Sequence, residues 1–252
     1  MSESDRQLYE YLLRLGDDML VLGHRLSEWC GHAPIIEEDI AISNIALDCV
    51  GQGSNLLTLA AEVRGDTTAD QLAYLREAVE YRNCQLVEQP NGDFAATIVR
   101  QFLFDYYSHL LYQRLRFSTN LRLAGIAQKN VKETDYHLRH SGQWILRLGD
   151  GTGESHSRTQ RAVDDLWRFT GELFETDEIE LALAESGAGV PSNTMKAEWL
   201  QGVSDLLMRA TLDVPQAPAM RSGGRHGQHS EHLGHMLAEM QIVARSFPEA
   251  TW

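Results

Sequence analysis

Cysteine, proline and long apolar runs are all scarce in this chain. The three cysteines, Cys30, Cys49 and Cys84, are odd in number and widely spaced. With no CxxC pair, neither a zinc knuckle nor a disulfide framework organises the fold. Only 6 prolines occur among 252 residues, several where helices are expected to start or stop. That pattern argues against a turn-rich β fold. No apolar run approaches the ~20 residues needed to cross a bilayer. The opening MSESDRQLYEYLLRLGDD lacks a basic segment followed by an apolar one, so no signal peptide is expected. A cytoplasmic protein without a membrane partner is the expectation. Positive charge is short as well: 22 Lys and Arg face 36 Asp and Glu, a net charge of −14. Such a surface disfavours nucleic acid and acidic membranes as partners of the whole molecule. No GxSxG, Walker-type or dinucleotide fingerprint occurs, and no cysteine has an evident activating base. Chemistry by this chain alone is not expected.

What is present is helical periodicity. Leu8, Tyr11, Leu12, Leu15, Met19, Leu22, Leu26 and Trp29 recur at steps of three and four, one face of a helix stopped by Gly31 to Pro34. A second helix is predicted from about Glu37 to Val63, apolar nearly all round and so expected to be buried. Along it Asn44, Asp48, Gln52 and Asn55 form a polar line, read as a hydrogen-bonded core network or a remnant metal site. A less clearly patterned helical stretch falls within Thr68 to Val87. Asp93 is placed to cap a helix over Phe94 to Arg116, with Ile98, Phe102, Tyr106 and Leu110 inward. A further long helix spans Leu121 to Leu148, with Ile126, Val131, Leu138, Trp144 and Leu148 as its apolar side. Shorter helices follow near Ser157–Phe174, Asp177–Glu185 and Ser192–Leu212. A loop marked by Pro215, Pro218 and Ser222-Gly223-Gly224 precedes a last helix, His229 to Ser246. The expected fold is all-α: one ferritin-like four-helix bundle over residues 1–252, with long helices in 5–150 and additional C-terminal helices in 156–247.

Di-iron bundles of that class place Glu-x-x-His on two helices, because residues i and i+3 share a face and reach one ion. Here the pattern is degenerate. Thr134 stands three residues before His137, and Glu133 stands four before it. On the second helix, Cys49 and Gln52 occupy the layout of a ligand pair without its ligands. Asp105 and His109, one turn apart, are residual candidates together with Glu133 and His137. These four either hold a single ion or form hydrogen bonds with no metal present. Arg221 and Arg225, in the clearest basic, Gly-containing loop, are candidates for an anion or partner contact, a solvated loop being the plain alternative.

Six peptides spread from the first helix to the last carry a resemblance. They are RLSEWCGHAP (Arg25 to Pro34), VEQPNGDFA (Val87 to Ala95), YHLR (Tyr136 to Arg139), LWRFT (Leu166 to Thr170), LDVPQ (Leu212 to Gln216) and EHLGHMLAEMQ (Glu231 to Gln241). Together the chain resembles the PaaC family of phenylacetyl-CoA epoxidase subunits, components of the ring 1,2-monooxygenase of aerobic phenylacetate breakdown. The resemblance implies a ferritin-like fold and a structural, non-catalytic role beside a homologous catalytic subunit (the A-type chain) that holds the di-iron centre. A reductase carrying FAD and an iron–sulfur cluster supplies electrons from NADPH in that family, so no cofactor is expected in this chain, and phenylacetyl-CoA is met only through the complex. The catalytic sister's Asp-Glu-x-Gly-His-Gly sets against Asp48 to Gly53 without a gap, which again leaves Cys49 and Gln52 where ligands belong. Two other readings stay open: a self-sufficient metal oxygenase using Asp105, His109, Glu133 and His137, and a ferritin-type metal-storage protein.

Overall fold

A computed structural model describes residues 1–216, 219–248 and 250; Pro218, counted above as a loop marker, lies outside them. The fold is all-α, as expected, with eleven α-helices and no strand among the described residues. In chain order these are α1 (Glu3–Ser27), α2 (Ile36–Arg64), α3 (Ala69–Tyr74), α4 (Gln85–Glu88), α5 (Phe94–Leu115), α6 (Leu121–Gly149), α7 (Gly153–Leu166), α8 (Glu178–Glu185), α9 (Lys196–Arg209), α10 (Glu231–Met240) and α11 (Ile242–Ser246). Local chemistry sets the helix ends. Ser2 and Asp5 form a reciprocal capping box on α1. Gly65, at φ 84, closes α2 in the left-handed region that a Cβ disfavours. Asp93 caps α5 as predicted, accepting from the Ala96 N–H at 2.9 Å. Several expected stretches are broken: α7 ends at Leu166 and gives way to 3-10 turns before Phe174, and Ser192–Met195 is a 3-10 turn ahead of α9. Thr68 to Val87 holds two short helices and a 3-10 turn, and the last helix divides at Gln241.

The chain forms two compact units: Met1–Pro90 with Gly223–Trp252, and Asn91–Ser222. In the first unit α1 packs along α2, burying Leu12, Leu22, Leu26, Ile45, Leu56 and Leu57. The approach is close because Gly53 faces α1 backbone. A Cβ there would lie 3.0 Å from the Leu20 nitrogen and 3.1 Å from the Gly16 oxygen. The expectation for α2 needs correction. Ile36, Ile40 and Leu47 are 69%, 57% and 69% exposed, so one of its faces is open rather than buried. Of its polar line, Asn44 and Asn55 are exposed, Asp48 is half-buried, and only Gln52 is buried.

In the second unit α5 is the enclosed helix, packed by α6, α7 and α9. Ile98, Phe102 and Leu110 are buried as predicted, whereas Tyr106 is half-buried. Trp199 donates its indole N–H to the Leu103 carbonyl at 3.0 Å and lies against Trp167 and Phe174. The apolar side expected of α6 is corrected too. Ile126, Val131, Leu138, Trp144 and Leu148 are all half-buried flank positions. Its buried line includes Leu123 and Ile145 towards its ends, but the middle of it is mostly polar: Ala127, Asn130, Thr134, His137 and Ser141. Counting apolar residues alone misses a helix face of this kind.

Candidate functional site

The polar line of α6 faces α5, and there the two helices share one buried carboxylate. Ser141 Oγ lies 2.7 Å from Asp105 Oδ2 and 3.0 Å from the His137 carbonyl oxygen. Gln101 Nε2, one turn before Asp105 on α5, donates to Asp105 Oδ1 at 2.5 Å. Asp105 is 1% exposed, and burial pushes its carboxyl up to about 6 against the opposing pull of His137, Ser141, Gln101 and His140. A hydroxyl and an amide can serve either protonation state. With Asp105 ionised, Ser141 donates to it; with Asp105 protonated, the carboxyl donates to Ser141, which turns to the His137 carbonyl. Gln101 and Ser141 hold the carboxylate by hydrogen bonds, while His137 and His140 favour its charged form.

Several sequence-derived candidates join this cluster and others do not. Asp105 and His137 come together electrostatically. His109 is half-buried and held below the usual imidazole range by burial, with Asp135 and Glu198 as its charged neighbours. Glu133 stands 3.5 Å from Lys129 in an i,i+4 pair. Thr134 is fully buried and turns its hydroxyl back to the Asn130 carbonyl at 3.0 Å. The four residual ligand candidates are therefore not one site, and no group of three or more His, Cys, Asp or Glu is placed to hold a metal ion among the described residues. Cys49 and Gln52 are buried on α2, in the other unit. Thiol, amide and hydroxyl at the degenerate positions do not fit a carboxylate-bridged iron pair, and no step through such a pair is derived for this chain.

Of the two loop arginines, Arg225 has an internal partner. Arg225 is 10% exposed in its side chain and forks onto Asp18, with Nη1 donating to Oδ1 at 2.9 Å and Nη2 to Oδ2 at 2.8 Å. Binding a phosphate there requires breaking a buried ion pair, so the anion contact considered for Arg225 is replaced by this internal one. Arg221 is exposed and donates its backbone N–H to the Arg168 carbonyl at 2.8 Å.

The Arg225 fork belongs to a charged seam in the first unit that periodicity did not reveal. Adjacent Asp17 and Asp18 are both buried on α1. Asp17 accepts from Arg76 Nη1 and Nη2 and from the Arg82 N–H; Asp18 also accepts from the Cys84 N–H at 2.8 Å. Farther along, His229 Nδ1 sits 2.7 Å from Glu88 Oε2, its Nε2 lies 3.1 Å from the Tyr81 oxygen, and the Ser230 N–H donates to Glu88. These contacts tie the C-terminal segment and the α3–α4 connection to α1, to α4 and to each other. The available signal was the Asp17-Asp18 pair beside Leu15 and Met19 on α1, since buried carboxylates demand partners. A cleft of about 590 Å³ in the same unit, lined by Tyr74, Leu75, Met240, Val243 and Phe247 among others, contains none of these residues.

The phenylacetic acid catabolic protein family, PaaA_PaaC, matches residues 1–252. The chain belongs to that family. It is also 50% identical over 246 residues to the C-type subunit of the 1,2-phenylacetyl-CoA epoxidase of Escherichia coli (strain K12), an alignment covering 98% of this chain and 99% of that protein. The ferritin-like bundle expected from the sequence is consistent with membership of the phenylacetic acid catabolic family. No helix is long and apolar enough to cross a membrane among the described residues.

Proposed function

We propose that this chain is the non-catalytic structural subunit of a multicomponent phenylacetyl-CoA epoxidase in aerobic phenylacetate catabolism. The observation that carries the reading is the 50% identity, spanning nearly the whole of both chains, to a protein named as the C-type subunit of that enzyme. The side chains at Cys49, Gln52 and Thr134, which cannot bridge two irons, support it from the other direction. In this reading the chain acts as a single ferritin-like domain in the cytoplasm and pairs with a homologous catalytic subunit. That partner holds the di-iron centre, a reductase with FAD and an iron–sulfur cluster delivers electrons from NADPH, and this chain carries no cofactor. Its physical contribution is to bury the partner's helices and so keep their ligands rigid and dry.

Co-expression with the homologous catalytic subunit tests the proposal. Conversion of phenylacetyl-CoA to its ring epoxide, measured with and without this chain, is expected to require it. A catalytic subunit that is soluble and fully active alone sinks the supporting role. Metal analysis of the chain purified alone from iron-supplemented cells is expected to give far less than one iron per chain. Two irons per chain would restore the self-sufficient oxygenase reading.

A further inference from the structure

The chain is strongly acidic, yet an exposed basic stripe runs along α6. That helix carries five Lys or Arg against two Asp or Glu, whereas the whole chain has 22 against 36. Two of the three lysines in the sequence, Lys129 and Lys132, lie on it. Arg122, Lys129, Lys132, Tyr136, Arg139 and Arg147 follow one another at three, four, seven or eight residues, which is one or two helical turns each time. They share the side opposite the buried line of Asn130, Thr134, His137 and Ser141, and span about 37 Å at 1.5 Å per residue.

The stripe mixes charge with aromatic surface, and Lys129 within it pairs with Glu133 at 3.5 Å. Of the two acidic residues, Glu133 is largely covered, at 19% exposure, and only Asp135 stands open beside the stripe. Arg139 and Arg147 lie over the rings of Tyr136 and Trp144, at 5.9 and 5.2 Å from the centroids, which pre-orders two long side chains that a merely solvated face leaves mobile. At the start of the helix Phe117 and Leu121 are 75% and 85% exposed, and Tyr136 is 42% exposed farther along. Aromatic and arginine side chains with apolar anchors are the composition of a protein contact.

We propose that this outer face of α6 is the docking surface for an acidic polypeptide of the same assembly, with Phe117, Leu121 and Tyr136 as apolar anchors and the basic stripe setting register and encounter rate. The inference rests on the structural-partner reading above and deepens it by assigning a face and the charge of its partner. Nucleic acid is the less favoured occupant, because a net charge of −14 repels a polyanion that extends beyond the stripe.

The test uses the complex of the full-length chain with its co-expressed catalytic partner. Two double variants, Lys132→Glu/Arg139→Glu and the milder Lys132→Gln/Arg139→Gln, are compared with Arg6→Glu, an exposed charge reversal on α1. The expected result is dissociation at least about tenfold easier for the Glu pair and a smaller, same-direction change for the Gln pair, with thermal melting of the isolated chains unchanged. Wild-type affinity is expected to fall steeply between about 0.05 and about 0.5 M salt, with the Glu variant losing that dependence. Arg6→Glu is expected to behave as wild type. A complex equally stable in all four proteins overturns this inference and leaves the structural-partner reading standing; no complex with the wild type overturns both. Self-association of the chain alone, or DNA binding, with the same dependence on Lys132 and Arg139 also overturns it.

Discussion

The two units bury ionisable groups in opposite ways. In the first, every carboxylate of the seam meets a cation or imidazole: Asp17 with Arg76, Asp18 with Arg225, Glu88 with His229. In the second, Asp105 accepts from the Gln101 amide and the Ser141 hydroxyl, and burial raises its carboxyl even against the charges of His137 and His140. Paired burial joins segments far apart in sequence, since the partners of α1 come from the α3–α4 connection and from beyond residue 222. Burial among neutral donors leaves a group whose ionisation is disfavoured by the fold itself. The first device ties a terminus down; the second keeps a strained carboxyl inside a helix pair.

The largest effect that would break this contrast is expected at Asp18. Asp18→Ala strands the Arg225 guanidinium in a buried position and is expected to cost about 3–5 kcal/mol, read by urea unfolding. A cost under about 1 kcal/mol would mean the pair adds little beyond packing. Next comes Asp105→Asn, with the opposite sign. A folded-state value near 6, against about 3.9 for an unfolded chain, means native stability from this group is complete below about pH 4 and is lost as pH rises through about 6. The Asn variant escapes that loss. It is expected to be more stable than wild type by up to about 3 kcal/mol at pH 8, and equal to it near pH 4. Differential scanning calorimetry across that range checks the sign, and a variant less stable at pH 8 breaks the contrast.

Gly53→Ala should follow, with a loss of about 1–3 kcal/mol, because the new methyl meets α1 backbone rather than a side chain able to turn away. Thermal melting measures it. The smallest effect is expected at the α6 surface: Lys129→Ala removes an exposed i,i+4 partner of Glu133 and should change stability by no more than about 0.5 kcal/mol. That near-zero value also guards the docking experiment, since it shows stripe residues can be altered without unfolding the chain.

Much of the helical frame was legible before the structure. α2, α5 and α6 end within about a residue of their predicted bounds because glycine, aspartate and proline punctuate the chain locally, as Gly65 and Asp93 do. The candidate site was only half legible. Asp105 and His137 are brought near each other, but their partners Gln101 and Ser141 went unnoticed, since serine and glutamine carry no periodic hydrophobic signal. His109 and Glu133 sat at plausible spacing without completing a group of three ligand residues among the described residues, because a spacing of four fixes a helix face and not what that face meets. Arg225 looked like a solvated loop cation until the fold placed Asp18 opposite it, more than 200 residues away in sequence.

Sequence by itself determined the all-α class, the positions of the long helices and the absence of bridging carboxylates at Cys49, Gln52 and Thr134. These are properties of residue identity and of spacing along one helix. Tertiary structure alone decided which charges are paired, that the middle of the buried face of α6 is polar, and that its outer face presents a basic stripe. Those depend on burial and on neighbours distant in the chain, and no local pattern encodes the surroundings of a side chain.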